Sequence, residues 1–173
     1  MKVEEILNLY LDGKIKTKGF NDRLLKHINI NNCDKLLELS LNKLTSVGID
    51  LFSSVWWIIA TNFSYDIVDP LVKKYLAIQV GHFQHEDMIE YFHNNIIDPE
   101  VNVNILVSLI ENPPKYFLID DRENVFIEKC LFTIAKQPTF KANEVLLAFS
   151  SSDNETISRA SKLYLEKLVN KPQ

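Results

Sequence analysis

Apolar side chains recur three and four positions apart along nearly the whole chain, and no stretch alternates apolar and polar residues over strand length. The pattern predicts a series of amphipathic helices. Val3, Ile6, Leu7, Tyr10 and Leu11 share a face of the first, which ends near Gly13. A basic loop over residues 14–18 leads to a second, with Phe20, Leu24, Leu25 and Ile28 inward. Asn31 and Asn32 mark a turn, and Asp34 then opens a leucine-rich helix through Leu36, Leu37, Leu41, Leu44 and Val47, closed by Gly48. The helix after Asp50 carries Phe52, Val55, Trp56, Trp57, Ile58, Ile59 and Phe63. It is apolar nearly all round, which predicts burial between neighbours.

Two Asp-Pro pairs organise the middle of the chain. Proline suits the first turn of a helix, where its missing N–H is not needed. Asp69-Pro70 therefore predicts a helix start, with Val72, Tyr75, Leu76 and Val80 inward and Gly81 as the stop. Asp98-Pro99 separates a helix bearing Met88, Ile89, Phe92 and Ile96 from one over residues 100–111 bearing Val101, Ile105, Leu106, Leu109 and Ile110. Asp98 stands where a carboxylate caps free N–H groups. The two pairs are 29 residues apart; Phe63 matches Phe92, Val72 matches Val101, and Leu76 matches Ile105. Further on, Phe126, Ile127, Cys130, Leu131 and Ile134 share a helix, Pro138 makes a turn, and a helix over 142–149 follows. The last helix, with Ile157, Ser161, Tyr164 and Leu168, repeats the pattern of Ile127 at a spacing of 30. A period near 30 built of two helices and a turn is the signature of an α-solenoid.

Residues 52–168 resemble HEAT repeats of the short kind with an Asp-Pro between paired helices. More narrowly, His85-Glu86-Asp87-Met88-Ile89-Glu90-Tyr91-Phe92, Ile97-Asp98-Pro99, Pro113-Pro114-Lys115-Tyr116-Phe117 and the run from Phe126 to Lys136 are similar to small bacterial HEAT-like proteins. Several of those serve as immunity proteins beside polymorphic or contact-dependent growth-inhibition toxins. The resemblance implies an all-α, HEAT-like right-handed superhelix of antiparallel helix pairs, about ten helices in one domain over residues 1–173. Residues 1–48 hold irregular helices without an Asp-Pro unit, and residues 49–169 hold the helix pairs.

Composition narrows the class. At 46% hydrophobic and 24% charged, with 4 Gly and 6 Pro in 173 residues, the chain reads as an ordinary globular protein. The N-terminus has acids where a secretory signal needs basic and then apolar residues. The longest apolar run, near Val55 to Ala60, falls far below the roughly 18 residues a bilayer span requires. Two cysteines without a shared motif fit a reducing compartment, so the expected location is cytoplasmic.

Charge is uneven. Residues 86–128 hold ten acids against Lys115 and Arg122, so this stretch carries −8 of a chain whose total is −4. Such a field argues against a nucleic-acid face, which needs clustered Lys and Arg, and would attract a basic partner.

The chemistry-bearing candidates are few. His82, Glu86, Glu90 and His93 would share a face on a continuous helix, a spacing that can hold a metal. Gly81 puts His82 in a turn, however, and His85 towards the apolar side. Ile89 stands where an H-E-x-x-H zinc motif needs its second histidine. Cys33 and Cys130 lie among apolar helix residues, as inert thiols do. Ser150, Ser151 and Ser152 lack a nucleophile-elbow setting, and Asp120-Asp121 read as helix caps. Residues 112–121, with Pro113, Pro114, Tyr116 and Phe117, predict a stiff loop suited to recognition.

The expected function is non-enzymatic binding of a cognate toxin, basic and of nuclease type, by occlusion, with the chain as a monomer in a heterodimer. No metal, cofactor, nucleic acid or membrane is expected. The partner-binding residues expected are Glu86, Asp87, Glu90, Tyr91, Asn94, Lys115, Tyr116, Asp120, Asp121 and Glu123. A generic HEAT-type scaffold, or a metal-dependent enzyme on His82, His85 and His93, are the alternatives.

Overall fold

A computed structural model describes residues 2–119 and 122–169, and for Val169 the backbone alone. Among them are eleven helices and no strand: α1 (Val3–Leu11), α2 (Thr17–Leu24), α3 (Cys33–Ser40), α4 (Leu51–Asn62), α5 (Tyr65–Leu76), α6 (His85–Asn94), α7 (Pro99–Glu111), α8 (Lys115–Ile119), α9 (Glu123–Lys136), α10 (Phe140–Phe149) and α11 (Glu155–Val169). None is long and apolar enough to cross a membrane. Contacts divide the chain into two compact units, Met1–Leu71 with Val80–Gln84, and Val72–Gln79 with His85–Gln173.

In the first unit α1 packs on α2 and α3 on α4. Tyr10 stacks on Phe20 with centroids 4.1 Å apart. α4 is buried on nearly every side, as its composition predicts, with Asp50 accepting from the Phe52 N–H at 3.1 Å as its cap. Trp57 is the departure, 52% exposed. The leucine-rich helix is shorter than the pattern predicts. It stops at Ser40, because Asn42 adopts a left-handed φ of 58° and its N–H turns to the Gly81 carbonyl at 2.9 Å. Leu44 and Val47 therefore sit exposed in a loop closed by a single bridge to Asp50.

The two Asp-Pro pairs are not equivalent. Pro70 lies inside α5, which starts at Tyr65 rather than at Asp69. The carbonyl it deprives of a partner belongs to Asp66, in the first turn and exposed, where water can replace the lost bond. Pro99 does open α7, but Asp98 makes no side-chain cap. Its φ of 49° turns the carboxylate away, to Lys73 Nζ at 2.8 Å. The matched positions differ accordingly: Val72 is fully buried while Val101 is exposed.

In the second unit α9 is the hub, packing on α6, α7, α8, α10 and α11; α10 also packs on α7 and α11. Phe126, Ile127, Cys130, Leu131 and Ile134 are all buried, as their spacing predicts. A buried polar chain crosses this core: Asn102 donates to Gln137 Oε1 at 3.2 Å, and Gln137 donates to the carbonyls of Phe92 and Thr133. Gln137 is satisfied at both ends, while Asn102 Oδ1 is buried without a hydrogen-bond partner among the described residues.

Candidate functional site

The acid-rich part of the sequence folds into a corner of the second unit where α6, α8 and the start of α9 meet. Met88, Ile89 and Phe92 turn into the core, which leaves Glu86, Glu90 and Asn94 four residues apart on the outward side of α6. Asp87 lies beside them, half-buried, and desolvation raises its carboxyl pKa above the ordinary value.

Residues 115–119 form a short helix, not the stiff loop expected. Phe117 anchors it: 1% exposed, it stacks on Phe126 of α9 with centroids 4.2 Å apart, and the Arg122 guanidinium lies over its ring. His85 ties α8 to α6. The Ile78 carbonyl, 2.9 Å from Nε2, can only accept, so Nε2 carries the proton. Nδ1 then accepts from the Tyr116 hydroxyl at 3.1 Å. Tyr116 is thus half-buried and engaged, and burial, with Glu86 and Asp87 adding to it, raises its hydroxyl pKa.

With Phe117 inward, the next two side chains of α8 face out. Leu118 is half-exposed and Ile119 is 84% exposed. Leu118 did not stand out in the sequence, and Ile119 did so only as a residue that could tuck inward with Phe117, which its exposure overturns. The available signal was that a helix burying Phe117 cannot also bury both residues after it. Lys115 is exposed and Glu123 and Tyr91 are half-buried, while Asp120 and Asp121 lie outside the described residues.

The acids are partly answered by bases on the next helix. Glu86 faces Arg122 at 3.9 Å and Glu90 faces Lys129 at 3.6 Å, while Glu128 of α9 meets Arg159 of α11 at 2.9 Å. Asp98 adds its pair with Lys73. The count of −8 therefore overstates the field this surface presents.

The histidines do not converge. His82 is buried in the first unit, stacked on Phe52 at 4.4 Å, with its Nδ1 accepting from the Gln84 N–H. His85 is spent on Ile78 and Tyr116, and His93 stacks on Phe132 at 4.8 Å. Among the described residues no three His, Cys, Asp or Glu side chains group as a metal site. Both thiols are buried, and burial raises their pKa, which leaves neither a ready thiolate at neutral pH.

Comparison with family models, curated proteins and solved structures found no match.

Proposed function

We propose that the chain is a non-enzymatic, HEAT-like binding module that acts as an immunity protein, holding a basic toxin domain inactive by covering the surface it uses on nucleic acid. The observation that carries this reading is the corner of α6 and α8, where Glu86 and Asp87 lie near Tyr116 and the side chains of Leu118 and Ile119 on the same short helix are exposed. Acids at a rim speed the encounter with a basic partner, and an aliphatic centre gives the complex its lifetime. The pairs Glu86–Arg122 and Glu90–Lys129 do not obstruct this. Exposed ion pairs are worth about 0–1 kcal/mol, so an incoming arginine exchanges with them at little cost.

The order of packing supports the solenoid: α6 on α9 on α11 in one layer, α7 on α10 in the other. Such stacks present extended faces to protein partners.

The test is capture from a native lysate, identification of the bound protein, and kinetics against salt. A basic partner is expected, with association slowing about tenfold as salt screens the face. Asp87→Lys with Glu90→Lys should slow association, and Ile119→Asp should speed dissociation. A partner that binds the charge-reversed variant equally at every salt concentration would overturn the mechanism; an acidic partner would overturn the immunity reading.

A further inference from the structure

A second face of the same unit is built in the opposite sense. α9 and α11 run together in extensive contact, and towards their C-terminal ends they leave a cavity of about 120 Å³ lined by Phe132, Ala135, Lys136, Tyr164, Lys167 and Leu168. Its floor is aromatic. Phe132, 39% exposed, is held by the His93 ring stacked on it at 4.8 Å and by Tyr164 tilted against it at 5.7 Å. Its rim is cationic. The Lys136 ammonium lies 5.4 Å from the Phe132 centroid, and the Lys167 ammonium 5.6 Å from that of Tyr164.

Each lysine also sits in the last turn of its helix, where a cation offsets the negative end of the helix dipole. That role explains the charges. It does not explain an exposed phenylalanine between them, since a half-exposed aromatic beside water gains nothing from the dipole. The cavity volume suits one side chain. The two ammoniums, held over rings by cation–π attraction, favour anionic groups flanking that side chain.

We infer that this groove docks an acidic peptide segment of another protein, with one aromatic or aliphatic side chain inserted beside Phe132 and Tyr164 and carboxylates on Lys136 and Lys167. The face is distinct from the α6–α8 corner, and the inference stands whether or not a toxin binds there.

The experiment uses two fluorescein-labelled peptides, Glu-Asp-Phe-Asp-Glu and Lys-Lys-Phe-Lys-Lys, titrated with the full chain by fluorescence anisotropy. The acidic peptide should bind, with affinity falling at least about tenfold in Lys136→Glu with Lys167→Glu and also in Phe132→Ala, while the basic peptide does not bind. Circular dichroism melts of the variants separate lost binding from lost folding. Lys136→Gln with Lys167→Gln, which keeps the stems, serves if charge reversal unfolds the chain, and should also weaken the acidic peptide. Equal binding of both peptides, undiminished binding to both lysine variants, or no binding of the acidic peptide overturns the proposal. So does self-association by sedimentation that the lysine changes abolish without any peptide binding, since the groove would then receive a second copy of this chain.

Discussion

The two ends of α9 show how one helix can serve a core and two dissimilar surfaces. At its N-terminal end the aromatics are spent inward: Phe117 and Phe126 stack out of solvent, and aliphatic residues and carboxylates are left outside. At its C-terminal end Phe132 and Tyr164 stay near the surface, and the flanking charges are lysines. The helix dipole favours this polarity, acids near the positive end and bases near the negative one. What differs is the part the aromatic ring plays, holding the fold at one end and lining a cavity at the other.

Substitution of the rings breaks that comparison most sharply. Phe117→Ala should cost about 3–5 kcal/mol, since it empties a site sealed by α8 and α9. Phe132→Ala should cost less, about 1–2 kcal/mol, because the residue is already 39% exposed in the folded chain. Urea unfolding checks both, and equal costs would mean that the C-terminal aromatics are a second core.

The histidines give the next contrast. His85→Ala leaves the Ile78 carbonyl and the Tyr116 hydroxyl without a partner they had, which should cost about 1–3 kcal/mol. His93→Ala removes a ring stack, which should cost about 0.5–1.5 kcal/mol. A ranking in the reverse order would show that α8 is not held through His85.

Smaller still is the effect of Asp87. Its folded pKa is raised by desolvation, so the folded chain holds this proton more tightly than the unfolded one. The contribution favours folding at low pH and is lost as pH rises from the ordinary carboxylate value to the folded one. Relative to the parent, Asp87→Asn should therefore gain stability as pH rises through that window, and its neutral-pH stability should be equal to or above that of the parent. Thermal melts against pH measure this. Lys129→Ala, at the far end of the scale, should change stability by under about 1 kcal/mol, because its pair with Glu90 is largely solvated.

Most helices were legible because their apolar faces repeat at helical spacing: the core of α9 holds the residues the pattern selects, and those of α4 and α6 do so apart from Trp57 and Ile96, which are exposed. Departures occurred where one backbone angle decided the outcome. A left-handed Asn42 ended α3 before Leu44, and a left-handed Asp98 directed its carboxylate to Lys73 rather than to α7, while α5 begins at Tyr65 and runs on through Pro70. Local periodicity carries none of these. At the corner, the acids of α6 were visible as a charge count, but Arg122, Lys129 and Arg159 meet acids of that stretch only through helix packing. The outward turn of Leu118 and Ile119 depends on burial of Phe117, which the sequence alone left open.

Hydrogen exchange of the chain alone and in complex with its captured partner tests the central claim most directly. Binding through the corner predicts slowed exchange over α6 and α8 and the first turns of α9, with the first unit unchanged. Slowed exchange confined to the first unit, or to the C-terminal turns of α9 and α11, would contradict it.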